Sequence, residues 1–220
     1  MLTSELIDQN IPRLQLHDTI GKAKQLINDF KLTHLPVISE KKYLGLISED
    51  DLLDFDDDKA IIENINEHIQ LIYVPDDVHF LNAIGFCNQY ESNIVPVLDK
   101  EAVFIGVITA TELLKMLGEF SGANEIGGII VLETERIHFS LSEISRIVES
   151  NDCTILHLNT MTNVSNGALQ ITLHLNKREI AAVAATFQRF EYHIVHQFGF
   201  DKFEDRSDTN FRNLMNYLEI

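Results

Sequence analysis

An internal repeat with an offset of about 60 residues constrains the fold of this chain more than any other feature. The segment 34–38, HLPVI, recurs at 94–98 as IVPVL, and the segment 45–53, GLISEDDLL, recurs at 106–114 as GVITATELL. The second copy has one extra residue in the turn between its two segments, 94–98 and 106–114, which explains why the offset grows from 60 to 61. Self-similarity of this kind is typical of a duplicated structural unit.

Both copies predict the same order of elements. A helix begins after Asp18 or Thr19, and its apolar residues repeat every 3.6 residues. A short apolar strand with the proline follows, then a polar turn, a second strand that ends near the glycine, and a helix that starts at Ser48 or at Thr109. Because a unit of this size cannot close its own core, we expect the two copies to pack face to face about a pseudo-twofold axis.

The start of the last helix in each copy carries a chemical pattern. In the first copy, Gly45 is followed by the hydroxyl of Ser48 and then by the carboxylate of Asp51. The glycine lets backbone approach a ligand, the helix-start N–H groups and the hydroxyl suit a phosphate, and the carboxylate suits the two hydroxyls of a ribose. The alternative is a glycine turn before a capped helix with an exposed acid.

The duplicated pattern over residues 11–117 resembles a tandem pair of cystathionine-β-synthase (CBS) domains. The resemblance implies two β-α-β-β-α modules that form a disc with two clefts, where relatives commonly bind AMP, ATP or S-adenosylmethionine. It implies that Asp51 takes the ribose and that backbone beside the two prolines reads the adenine edge. The residues at those prolines are Leu35, Pro36, Val95 and Pro96.

The second copy departs from this pattern. At the positions of the glycine, the hydroxyl and the carboxylate it has Gly106, Thr109 and Glu112. The glutamate is one methylene longer than the aspartate that the family prefers, and Lys115 follows three residues later, where the first copy has Asp54. We therefore expect unequal clefts, with Ser48 and Asp51 marking the better nucleoside site and Lys115 the better phosphate site. One occupied cleft and two occupied clefts both remain open.

The charge balance restricts the classes of partner and ligand that are expected. Asp and Glu number 34 against 17 Lys and Arg, which gives a formal net charge of −17. This charge repels phosphate backbones and anionic lipid, so neither nucleic acid nor a membrane is an expected partner. It also makes AMP, S-adenosylmethionine or magnesium-bound ATP easier ligands than free ATP. The acidic run 54–58 favours a solvated linker over a metal site.

Other features point to a cytoplasmic protein without catalysis. Cys87 and Cys153 are far apart in apolar segments, which predicts buried, reduced thiols rather than a disulfide or a zinc site. The first ten residues carry Glu5 and Asp8 where a signal peptide would be basic. The sequence contains no nucleophile elbow, P-loop or His-Glu-x-x-His motif, so we assign no catalytic residue and expect no metal.

The remaining residues predict a second kind of domain. Residues 118–125 read as a linker, and 126–200 predict the order βαββαβ, with a capping box at 140–143 and a hairpin turn at 166–167. This order gives a four-stranded antiparallel sheet with both helices on one face. It resembles the ferredoxin-like ACT domain, whose relatives bind amino acids and pair through sheets or helices. The loop 135–139 lacks the usual glycine, which favours dimerisation over amino-acid binding.

The hairpin of this domain also predicts a pair of histidines. Its turn places His157 opposite His174 and keeps Leu156 and Leu158 with the leucines that face the helices. The two imidazoles could bind metal or sense protons, or they could form part of a solvated polar face.

The whole sequence predicts an α+β chain that resembles the acetoin-utilization family of small regulatory proteins. The predicted parts are CBS modules at 1–60 and 61–117, a linker at 118–125, an ACT-like domain at 126–200 and a helical tail at 201–220. The resemblance implies a sensor, expected as a homodimer, that binds an adenosyl ligand and changes its own assembly or an unidentified protein partner. The alternative is a ligand-free structural or partner-docking subunit, suggested by Glu112 and Asp54.

Overall fold

The computed structural model describes residues 1–40 and 42–199. Contacts between residues divide the chain into two compact units, Met1–Leu117 and Gly118–Ile220. The predicted helical tail at 201–220 lies outside the described residues.

The first half of the first unit is built from two helices and a two-stranded sheet. Its elements are α1 (Ile20–Phe30), β1 (His34–Ser39), β2 (Lys42–Ser48) and α2 (Glu49–Leu53). Thr19 caps α1 because its side chain accepts a hydrogen bond from the Lys22 N–H. The predicted leading strand is reduced to one parallel bridge, between Leu14 and Val37.

The second half repeats this order. Its elements are β3 (Val74–Pro75), α3 (Leu81–Tyr90), β4 (Ile94–Leu98), β5 (Phe104–Thr109) and α4 (Ala110–Phe120). Strand β3 runs parallel to β4, and β5 pairs with β4 in antiparallel register. Helix α4 extends to Phe120, so the first three residues of the predicted linker are helical.

Reciprocal contacts relate the two halves. Thr33 and Asn93 occupy equivalent positions of the repeat, and each backbone N–H donates to the other side chain, at 2.9 and 3.0 Å. Leu46 of β2 forms an antiparallel bridge with Gln70, and the equivalent Val107 of β5 forms one with Asp8. Each half therefore receives a strand-like segment from the chain that precedes the other half, as expected for packing about a pseudo-twofold axis.

A single apolar core joins both halves of the first unit. Among its fully buried members are Leu35, Ile47, Phe80, Val95 and Ile108. Full burial of such a side chain contributes about 1.5–3 kcal/mol, and here both halves contribute side chains to one cluster. The shared core explains why neither copy of the repeat needs to be stable alone.

The described part of the second unit, residues 118–199, contains a four-stranded antiparallel sheet packed with two helices. Its elements are β6 (Gly128–Thr134), α5 (Leu141–Glu149), β7 (Ile155–Thr162), β8 (Leu169–Leu175), α6 (Ala181–Arg189) and β9 (His193–Phe198). The strand order β7-β8-β6-β9 is that of a ferredoxin-like βαββαβ domain. Ser140 caps α5, because its side chain accepts a hydrogen bond from the Glu143 N–H at 3.3 Å; this cap and the α+β class are confirmed. The Glu143 carboxylate, the other half of the predicted capping box, contacts Tyr192 and Arg146.

The hairpin register is also confirmed, with one correction. His157 pairs with His174, and Leu158 pairs with Leu173. A bulge between Ile155 and His157 shifts the pairing, so Leu156 is 40% exposed and Ile155 packs against the core in its place. The prediction that Leu156 faces the helices is therefore wrong, because an extra residue reverses the alternation of the strand.

Within 1–40 and 42–199, no helix has both the length and the apolar character needed to cross a bilayer.

Both cysteines are free thiols; Cys153 is buried and Cys87 is half-buried, and burial raises the pKa of the Cys87 thiol.

Candidate functional site

The glycine of each repeat has a structural reason to be glycine. Gly45 has φ of +149°, and a Cβ on it would lie 2.4 Å from the backbone oxygen of Gln70. Gly106 has φ of +148°, and a Cβ there would lie 2.4 Å from Cγ2 of Ile7. Each glycine thus permits a close approach by the chain's own bridging segment, a role that the sequence analysis had given to a ligand.

Three side chains meet at the start of α2. Ser48 is the N-cap of the helix: its Oγ accepts from the Asp51 N–H at 3.0 Å and donates to Oδ2 of Asp51. The other carboxylate oxygen, Oδ1, is 3.1 Å from Nδ1 of His68. The side chains of Asp51 and His68 are 26% and 31% exposed. The structure therefore brings Ser48 and Asp51 together as predicted and adds His68, which the sequence analysis missed.

The surroundings of Asp51 keep it ionised. Burial raises the pKa of this carboxyl, but hydrogen bonds from Ser48 and His68 outweigh burial and lower the pKa below its ordinary value. Burial also lowers the pKa of the half-buried His34, although the charges of Asp51 and Asp50 act in the opposite direction. A carboxylate offers about four acceptor positions, so two remain on Asp51 beyond those used by Ser48 and His68.

The four residues assigned to the adenine edge lie in β1 and β4. Leu35 and Val95 are fully buried, and Pro36 and Pro96 are buried beside them. Their side chains belong to the core, so only their backbone could contact a ligand. The Pro36 carbonyl already accepts from the Leu14 N–H at 2.8 Å.

The corresponding residues of the second half make weaker contacts. Thr109 accepts from the Glu112 N–H at 3.2 Å, which matches the cap at Ser48. Lys115 Nζ is 3.4 Å from Oε1 of Glu112, and these side chains are 66% and 38% exposed. The cation that we expected to bind phosphate therefore pairs with the acid of its own helix.

A cavity of about 340 Å³ lies beside Gly106. Its described lining is Asp8, Gln9, Ile11, Arg13, Phe104, Ile105, Gly106 and Val107. Of the predicted site residues, this lining includes Gly106. Arg13 and Asp8 carry no local motif, and their place here follows from the bridge between Asp8 and Val107.

A weak sequence signal for His68 exists. Ile62, Ile65 and His68 are spaced by three residues, as on one face of a 3₁₀ helix, and both isoleucines are buried. The segment Ile62–His68 is kinked at Ile65, so this spacing does not set the direction of the imidazole or the side chain that it contacts. Across residues 1–40 and 42–199, no three His, Cys, Asp or Glu side chains are grouped to hold a metal ion.

Comparisons with known proteins assign a family to the first half of the first unit. Residues 4–58 match the family model of the CBS domain. Over 126 residues, 54% of this chain, the sequence is 27% identical to a homoserine O-acetyltransferase from Methanosarcina acetivorans, covering 22% of that protein. Over 112 residues, 50% of this chain, it is 23% identical to an inosine-5'-monophosphate dehydrogenase from Methanocaldococcus jannaschii, again covering 22%. The chain thus spans less than a quarter of the length of these two relatives.

A solved structure from Thermotoga maritima, described as a CBS domain pair/ACT domain protein, is similar with a TM-score of 0.49 and 20% identity. The similarity covers 55% of this chain and 98% of that one. The family match and the internal repeat lead to one assignment. Residues 4–58 match the CBS domain, and the second half of the first unit repeats the elements of this segment and reciprocates its contacts, as the second module of a CBS pair would.

Proposed function

We propose that the chain is a non-catalytic, cytoplasmic regulatory sensor that binds an adenosyl ligand, AMP, ATP or S-adenosylmethionine, in a cleft of its CBS pair. The observation that carries the proposal is the arrangement at the start of α2. There a helix N-terminus, the Ser48 hydroxyl and an ionised Asp51 lie within hydrogen-bond reach of one another. A nucleoside phosphate needs these groups: N–H donors for phosphate and a carboxylate for ribose hydroxyls.

In this proposal the clefts are unequal. Asp51 has two acceptor positions free for a ribose, while Glu112 is paired with Lys115 on an exposed helix surface. We infer that Ser48 and Asp51 define the nucleoside site. The second cleft, with Gly106 and Thr109, would take a ligand only if Lys115 leaves Glu112 for a phosphate.

The ferredoxin-like domain at 126–200 would then mediate assembly or signal output. A ligand that binds one assembly state better than another shifts the population toward that state by its difference in affinity. We infer a homodimer that signals to a protein partner not yet identified.

The alternative function is a ligand-free structural or partner-docking subunit. The contact between His68 and Asp51 favours it, because the carboxylate proposed for ribose already has a partner within the chain. In that case the CBS pair would serve as a rigid platform with degenerate clefts.

Calorimetry on nucleotide-stripped protein separates the two functions. At least one of AMP, ATP and S-adenosylmethionine should bind, and Asp51→Ala should weaken binding about tenfold or more, because a hydrogen-bonded charged group is lost. Asp56→Ala removes an exposed acid of the run 54–58, outside the positions assigned to the site, and serves as the matched control. If none of the three compounds gives heat or changes the melting temperature, the ligand-free subunit is the better account.

A further inference from the structure

A second cavity lies on the face of the sheet opposite helices α5 and α6 in the second unit. Its volume is about 550 Å³, which falls in the range of about 300–1,000 Å³ that is usual for small-molecule sites. Its described polar lining is Ser121, Glu125, His157, Thr172, His174 and Arg178. All of these residues belong to the second unit, outside residues 1–117 of the CBS pair.

The floor of the cavity is one row of side chains across all four strands. His157 pairs with His174, His174 with Ile129, and Ile129 with Phe198. Their neighbours Leu173, Leu175 and Ile130 are buried in the core, so by alternation the row faces away from the helices. The row therefore has two imidazoles at one end and two apolar side chains at the other.

The segment before β6 holds the imidazoles in place. Nδ1 of His174 lies 3.6 Å from the position that a Cβ would take on Gly122, and its Nε2 lies 2.7 Å from that position on Gly127. The ring of Phe120 meets the ring of His157 edge to face, with centroids 5.9 Å apart. Both histidines are half-buried, whereas Asn159, two residues along β7 on the same face, is exposed. This end of the sheet is thus partly covered by the segment before β6, unlike an ordinary solvated face.

The described lining favours an anion. Two hydroxyls, two imidazoles and the guanidinium of Arg178 can all donate hydrogen bonds, and a guanidinium fork matches the geometry of a carboxylate or a phosphate. One described carboxylate, that of Glu125, lies in the lining, and it is exposed. In a chain with a net charge of −17, this lining offers an anion five donor side chains, of which Arg178 is exposed at the rim and the other four are half-buried.

We propose that this cavity binds a small organic oxyanion with an apolar body. The carboxylate or phosphate contacts His157, His174 and Arg178, and the apolar part lies over Ile129 and Phe198. The proposal assigns the second unit a ligand of its own, whether or not the CBS pair binds a nucleoside.

The test follows the imidazole resonances of the full-length chain by two-dimensional NMR. Phenyl phosphate and benzoate carry the two candidate head groups on the same apolar body, and benzamide is the neutral analogue. At least one anion should shift the His157 and His174 resonances in a saturable way, with benzamide silent. Arg178→Gln should weaken that binding roughly tenfold or more, since a charge-assisted contact is lost.

Two further variants complete the test. His157→Gln should weaken binding as well, and His138→Gln, at an exposed histidine outside the described lining, should leave it unchanged. Thermal melts establish that each variant is folded. The proposal is overturned if neither anion shifts the two histidines, if benzamide shifts them as benzoate does, or if the folded Arg178 and His157 variants both bind as the wild type does.

Discussion

Replacing His68 with alanine removes the imidazole that shares the Asp51 carboxylate with Ser48. The contact is 3.1 Å long, and both side chains are less than one-third exposed. A hydrogen bond to a charged group contributes about 1.5–3 kcal/mol when buried, and partial exposure reduces this to about 1 kcal/mol. We expect a ribose hydroxyl to take the position on Oδ1 that His68 now occupies, ahead of the two remaining acceptor positions, so the wild type loses that free energy on binding.

The expected result is therefore a change of opposite sign in two measurements. His68→Ala should bind AMP about fivefold more tightly, since about 1 kcal/mol corresponds to that ratio of affinities. Its free energy of unfolding should be about 1 kcal/mol lower than that of the wild type. Calorimetry gives the first quantity and urea denaturation gives the second. His17→Ala, at an exposed histidine of the same unit, is the matched control and should change neither.

An unchanged or weaker affinity in a folded His68→Ala variant would refute this reasoning. It would mean that the imidazole either does not lie in the path of the ligand or contributes to holding it. The loss of stability should still be seen in that case, which separates an error about the ligand from an error about the contact.

Three other predictions concern the fold. Gly45→Ala should lower the free energy of unfolding by about 1–3 kcal/mol, because the added Cβ would overlap the backbone at positive φ. Gly85→Ala should raise the free energy of unfolding by about 0.5–1 kcal/mol, because Gly85 lies inside α3 with open space around it. Urea denaturation measures both changes. Burial raises the pKa of Asp18, but hydrogen bonds from Lys22 and from a backbone N–H outweigh burial, so the net effect is a lowered pKa. Asp18 should therefore stabilise the protein at neutral pH and lose that effect as pH falls through its depressed folded pKa, so wild type and Asp18→Asn should converge in stability in acid but not at pH 7. Burial and the hydrogen bond to Glu143 raise the pKa of Tyr192 to about 12; Glu143→Gln should lower that value in an ultraviolet titration, and an unmoved Tyr192 transition would contradict the contact.

Features that depend on local sequence were predictable. The caps at Thr19, Ser48 and Ser140 follow from hydroxyl side chains placed just before apolar periodic segments, and the structure has all three. The register that pairs His157 with His174 follows from the hairpin turn. In each case the partners lie within one turn or one hairpin, so residue spacing alone sets the geometry.

Features that depend on distant contacts were not predictable in this way. The bulge that exposes Leu156 adds one residue to a strand whose alternation gives no sign of it. The need for glycine at position 45 comes from Gln70, and the partner of Asp51 is His68, 17 residues along the chain. Such contacts are set by how the two halves of the repeat pack together, which residue spacing does not encode.

A backbone amide chemical-shift map of the full-length chain with AMP tests the central claim most directly. The account predicts that saturating AMP shifts a compact set of resonances at Leu35, Ser48, Asp51 and His68, and that Asp51→Ala abolishes these shifts. Shifts confined to residues outside the CBS pair, or no shifts at millimolar AMP, ATP and S-adenosylmethionine, would contradict it.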